Sequence, residues 1–169
     1  MTAALTVVST TVMAQTSYPW MDTSKSFRER AELLCRELTL REKVDQLGNN
    51  VSEPIKRDGQ VILPSYQYWN EALHGVARSG AATSFPESKG MSATWDEMLV
   101  RACAEAISDE ARIYHETKGK GLNYWSPTIN MARDPRWGRE EENYGEDPLL
   151  AGRLAVEFIK GFQGEITPA

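Results

Sequence analysis

Two segments that read as strands, Tyr66 to Leu73 and Leu122 to Trp125, each lead into a long polar loop and then towards an amphipathic helix. This repeated order constrains the fold more than any other feature. Strands alternating with helices build a parallel α/β layer, and in such layers the loops after the strands' carboxyl ends carry the chemistry. Those loops start at His74-Gly75 and at Ser126-Pro127.

The helices are legible from their ends. Phe27, Ala31, Leu34, Cys35 and Leu38 recur at helical spacing within Ser26 to Leu38, opposite Arg and Glu, which predicts an amphipathic helix. Thr39-Leu40-Arg41-Glu42 has the form of a capping box and predicts a second, short helix to about Leu47, stopped by Gly48. The stretch from Gly48 to Tyr66 reads as a polar loop. Thr94-Trp95-Asp96-Glu97 has capping-box form too and opens the longest helical pattern, which ends near Lys118-Gly119. Asp147-Pro148 places an N-cap before a proline at the first helical position, where its missing N–H costs nothing, ahead of an amphipathic Leu149 to Phe162.

Composition narrows the function classes. With 19 Lys+Arg against 24 Asp+Glu the net charge is -5, and there is no extended basic run. That argues against a nucleic-acid partner, which requires clustered positive charge. No stretch approaches the roughly 20 apolar residues that span a bilayer. The two cysteines, Cys35 and Cys103, build no disulfide framework, and no Cys/His spacing resembles a zinc site. Residues 1–14, apolar and small with Val12-Met13-Ala14 before Gln15, follow the pattern of a signal peptide, although the leading Lys or Arg is missing. The expectation is an exported chain, secreted or periplasmic, with residues 15–24 as a linker. The alternative is an N-terminal tail without fixed structure.

Between Arg133 and Pro148 lie three Arg, six carboxylates, Trp137 and Tyr144 within sixteen residues. Forked donors, carboxylate acceptors and aromatic faces are what a sugar site needs. The same charges could instead form ion pairs that hold the loop in one shape, and most are expected to do so. Two Pro and two Gly suit a loop of fixed form. Trp69, Trp125 and Trp137 are expected mainly to pack, with Trp137 the best candidate for a sugar platform. His74 is read as a hydrogen-bonding support, and His115 as solvent-facing.

Ser126-Pro127-Thr128-Ile129-Asn130-Met131-Ala132-Arg133-Asp134-Pro135-Arg136-Trp137-Gly138-Arg139, continuing to Tyr144-Gly145-Glu146-Asp147-Pro148, resembles the N-terminal domain of glycoside hydrolase family 3. Trp69-Asn70-Glu71-Ala72-Leu73-His74-Gly75, Phe85-Pro86 and Ala93-Thr94-Trp95-Asp96 resemble the family in the same order. The resemblance implies a retaining β-glycosidase whose first domain is a (β/α)₈ barrel, and it implies no cofactor. It implies that Arg139 helps hold the sugar at the cleavage subsite and that Glu71 contacts outer hydroxyls of the same sugar. Glu rather than Asp at position 71 resembles the β-xylosidase-like branch and favours a pentose. Without the resemblance, Glu71 reads as a strand-end carboxylate bonding nearby backbone amides.

Retaining hydrolysis takes two carboxylates about 5–5.5 Å apart. The family's Ser-Asp-Trp or Ser-Asp-Tyr nucleophile motif does not occur in this sequence, nor does the Lys-His pair that should follow Phe162. No residue of the chain is therefore assigned as catalytic. Crowded Glu140, Glu141, Glu142 and Glu146 are read as ion-pair partners for the arginines, because opposed placement across a sugar is hard to arrange from one segment. A complete barrel takes about 250 residues, so residues 25–169 are expected to form an incomplete N-terminal part. The expected partners are a β-linked oligosaccharide, the remainder of the barrel and the domain that follows it. The competing readings are a non-catalytic carbohydrate-binding domain and a relict half-barrel that dimerises or docks elsewhere.

Overall fold

The computed structural model describes residues 18–49 and 51–164, so the expected signal peptide lies outside the described residues. Helices dominate: α1 (Phe27–Glu37), α2 (Leu40–Asp45), α3 (Ser88–Ser92), α4 (Glu97–Lys118) and α5 (Pro148–Gln163). Four short strands, β1 (Val51–Ser52), β2 (Ile55–Arg57), β3 (Gln60–Leu63) and β4 (Tyr66–Gln67), lie between α2 and α3.

The caps explain where helices begin. Ser26 and Glu29 close a capping box on α1, and Thr39 and Glu42 close the expected one on α2. Each box satisfies two orphan backbone donors reciprocally. On α4 the cap falls at Asp96, whose carboxylate accepts from the Leu99 N–H at 3.0 Å. Thr94 instead donates to the Met91 carbonyl, so the expected Thr94 box is not formed. Asp147 caps α5 as expected, accepting from the Leu150 N–H at 2.8 Å.

The expected polar loop after Gly48 contains a hairpin. β2 and β3 pair antiparallel around Asp58-Gly59, with φ of 49° and 78°, the conformation that Asp-Gly adopts in two-residue hairpin turns. Ile55 and Ile62 from this hairpin join Trp20 in a small apolar cluster that Leu33, Leu34 and Leu38 pack against. The packed side of α1 is thus the half-buried Leu33 and Leu34, continued by Leu38 just past its end. Phe27, 87% exposed, and Cys35 lie on the open side.

The parallel sheet expected from the sequence is absent among the described residues, which hold two two-stranded antiparallel sheets, β1 with β4 and β2 with β3. Residues 67–72 and 121–126 nevertheless lie side by side in the same direction. The Trp125 N–H donates to the Asn70 carbonyl at 3.0 Å, Asn123 Nδ2 donates to Tyr68 O at 2.7 Å, and the Ala72 N–H donates to Ser126 Oγ at 3.1 Å. Side chains replace the missing ladder. Asn70 Nδ2 donates to the carbonyls of Gly121 and Asn123, and the Gly121 N–H donates to Gln67 Oε1 at 2.7 Å. Main-chain groups satisfied by side chains have none left for a continuous strand ladder.

α4 and α5 also run in the same direction. Arg153 pairs with Glu97 at 2.6 Å, Arg101 with Glu157 at 3.6 Å, and Ser108 Oγ donates to Phe162 O at 2.7 Å. Together with the two parallel runs, this gives the strand–helix–strand–helix path of a βα repeat. The main core lies between them: Val100, Ala104, Ile107, Leu154, Phe158 and Tyr144 are buried there with Ala72 and Val76. Gly161 allows the helices to touch, since a Cβ there would lie 2.5 Å from Arg101 O.

Candidate functional site

The loops that follow residues 67–72 and 121–126 open at the same end of this layer, as parallel runs require. The first is fastened by its main chain. His74 O accepts from the Phe85 N–H at 2.7 Å, and a Cβ on Gly75, at φ 144°, would sit 2.2 Å from Thr83 O. The far side is held to α4 by Thr83, whose N–H and hydroxyl both donate to Glu110, and by Lys118 Nζ, which donates to Ser79 O at 2.9 Å. His74 Nδ1 lies 2.8 Å from Phe85 O and Nε2 lies 3.0 Å from Glu87 Oε1. Both ring nitrogens are engaged by the loop, the supporting arrangement expected of this residue.

The second loop is closed by the Ala132 N–H donating to Gly145 O at 2.9 Å. Asn143 and Tyr144 anchor it in the core, the former fully buried with its Nδ2 on Glu140 O at 2.7 Å and its Oδ1 accepting from the Gly145 N–H. Desolvation in that core pushes the Tyr144 hydroxyl well above its ordinary range. The charges divide into pairs: Arg136 with Asp134, Arg139 with Glu142, and Glu140 with Lys89 of α3 at 2.9 Å. Glu140 was expected to pair with an arginine. A lysine takes it because the 3₁₀ turn Glu140–Glu142 packs against α3.

Arg139 presents Nε to Glu142 Oε1 at 2.7 Å and Nη2 to Glu142 Oε2, a two-point grip that leaves Nη1 outside the pair. Glu142 holds the guanidinium in its charged form most strongly, and the negative charge of Glu71 adds to it from the other loop. Reciprocally, Arg139 lowers the Glu142 carboxyl below its ordinary range. Glu71 Oε2 accepts from Arg78 Nε at 2.8 Å, and the Arg78 guanidinium stacks on Trp69 with its carbon 4.7 Å from the ring centroid.

Glu71, at the end of the first run, and Arg139, in the loop after the second, thus lie at the same end of the layer. A free guanidinium N–H donates to a hydroxyl and a free carboxylate oxygen accepts from one, the two kinds of contact a polyol takes. The sequence reading missed Arg78, which carries no motif and is recognisable only from its place over Trp69 and Glu71. Trp125, expected to pack, is 58% exposed, with its indole N–H on Tyr68 O at 2.9 Å. Trp137 is partly exposed on the second loop. His115 is solvent-facing as expected, with Nδ1 near Lys120 O. Cys35 and Cys103 are free thiols. Among the described residues no cluster of three or more His, Cys, Asp or Glu could hold a metal ion, and no helix is long and apolar enough to cross a membrane.

The glycosyl hydrolase family 3 N-terminal domain matches residues 34–168. An exo-1,4-beta-xylosidase of Emericella nidulans is 42% identical over 158 residues, covering 87% of this chain and 20% of that protein. A beta-xylosidase/alpha-L-arabinofuranosidase of Medicago sativa subsp. varia is 41% identical, with 87% and 20% covered. Among solved structures, a family 3 exo-beta-xylosidase in complex with a xylobiose aziridine activity-based probe aligns with a TM-score of 0.73 and 36% identity, covering 89% of this chain and 20% of that one. A beta-glucosidase from Kluyveromyces marxianus aligns with a TM-score of 0.62 and 26% identity, covering 79% and 16%. The chain thus spans about a fifth of the length of the curated relatives it matches. With its loop motifs, its parallel βα path and this match over most of its length, the chain belongs to the glycosyl hydrolase family 3 N-terminal domain family.

Proposed function

We propose that this chain is the sugar-binding part of an exported retaining β-glycosidase that releases terminal β-linked xylose, or glucose, from oligosaccharides. Glu71 and Arg139 bind the sugar. The nucleophile comes from a later strand of the (β/α)₈ barrel and the acid/base from further on still, and together they complete the site. The observation that supports this reading most is the parallel course of the two runs, which puts Glu71, at the end of the first, and Arg139, in the loop after the second, at the same end of the layer. The names of the relatives favour xylose, and so does the longer side chain at position 71, which fills space a hydroxymethyl group would need.

In the complete reaction one carboxylate attacks the anomeric carbon while another protonates the leaving oxygen, and water then hydrolyses the covalent glycosyl-enzyme. Glu71 and Arg139 orient the ring for that attack without supplying either carboxylate. The purified chain, incubated with p-nitrophenyl β-D-xyloside or β-D-glucoside, releases no nitrophenol on this account. Clear turnover abolished by replacing one of its own acidic residues would contradict it.

A further inference from the structure

We propose that Arg78 is a positioning residue that fixes the Glu71 carboxylate for a sugar hydroxyl, an inference that rests on the reading of Glu71 as sugar-binding. Three contacts converge on this arrangement. Arg78 Nε donates to Glu71 Oε2 at 2.8 Å, the guanidinium lies over the Trp69 ring at 4.7 Å, and the Ala77 N–H closes the intervening loop on Glu71 O at 2.9 Å. Arg78 also has φ 59°, a left-handed conformation that non-glycine residues seldom adopt and that costs free energy unless the surroundings hold it.

Fold stability is a poor reason for this geometry. The Arg78 side chain is 68% exposed, and an exposed ion pair contributes little to stability. Positioning is a better one. A free Glu side chain samples many rotamers, and ordering it on ligand binding weakens affinity, whereas a carboxylate already held avoids that cost. The bond to Arg78 occupies Oε2, which leaves Oε1 to accept from a hydroxyl. Trp69 fixes the plane of the guanidinium and so acts through Arg78, with that ring face covered. Lysine offers a point charge without the planar fork or the stacked face, so it would replace Arg78 only in part.

The test uses the full 169-residue chain. Side-chain couplings of Glu71, measured by NMR without sugar, should report one dominant rotamer in the wild type. Arg78→Ala should give averaged couplings and Arg78→Lys an intermediate value, with the rest of the spectrum unchanged. Xylobiose affinity should fall about tenfold in Arg78→Ala, and Glu71→Gln should add much less in that background than in the wild type. Averaged Glu71 couplings in the wild type, or couplings indifferent to Arg78, would overturn the proposal. So would equal xylobiose affinity with and without Arg78. Ordered Glu71 that depends on Arg78 in a chain that binds no xylobiose would instead uphold the positioning and overturn the sugar-binding reading.

Discussion

The Asn70 carboxamide donates to two carbonyls of the neighbouring run, Gly121 O at 3.1 Å and Asn123 O at 3.0 Å, while the Asn70 main-chain carbonyl accepts from the Trp125 N–H. One nearly buried side chain thus joins the two runs that carry the candidate loops. Asn70→Ala leaves both acceptors without this donor. It should destabilise the chain by about 1–3 kcal/mol, the cost of unsatisfied buried polar groups. The urea midpoint of unfolding checks this, and an unchanged midpoint would show that the Asn70 bonds do not hold the runs together.

The helix contact at Gly161 makes a paired prediction. A Cβ on Gly161 would lie 2.5 Å from Arg101 O and 3.0 Å from the Ala104 Cβ, whereas nothing lies within 4 Å of one on Gly152 of the same helix. Gly161→Ala should destabilise by about 1–3 kcal/mol through overpacking. Gly152→Ala should stabilise by about 0.5–1 kcal/mol, because alanine loses less backbone entropy in a helix. Thermal unfolding of both variants separates packing from propensity, and shifts of the same sign would refute the packing geometry.

The hairpin is tied to α2 through Glu42, whose two oxygens accept from Arg57 at 2.8 and 2.7 Å while it also closes its own capping box. Arg57 first, and then the Thr39 N–H, lower the Glu42 carboxyl from 4.5 to about 2. A folded value below the unfolded one means a contribution that is fully present above pH 4.5 and lost as pH falls towards about 2. The stability gap between wild type and Arg57→Gln should therefore be constant near neutrality and close in that acid window. Carboxyl NMR should find Glu42 titrating at higher pH in Arg57→Gln, and identical titration in both proteins would contradict the pairing.

The starts of α2 and α5 were legible in the sequence, because Thr39 and Asp147 cap through local chemistry that needs no distant partner, whereas the Ser26 box went unread and the α4 cap fell on Asp96 rather than Thr94. The Asp58-Gly59 hairpin was missed although its turn signal is present, since strands as short as β2 and β3 carry little alternation. The two runs were read as strands and do lie parallel, but they form no sheet with each other. Bonds from Asn70, Gln67 and Asn123 side chains to main chain, which no periodicity reveals, took the place of the ladder. At the site, the motif singled out Glu71 and Arg139. Arg78 became visible only through its contacts with Glu71 and Trp69, and the anchor Asn143 only through its complete burial.

Titration of the chain with xylobiose beside its Arg139→Ala variant tests most directly whether Glu71 and Arg139 form one sugar-binding site. Saturable binding by the wild type, weakened about tenfold or more when the charged fork is removed, is the predicted result. Equal affinity in a folded Arg139→Ala variant, or no saturable binding by the folded wild type, would contradict it.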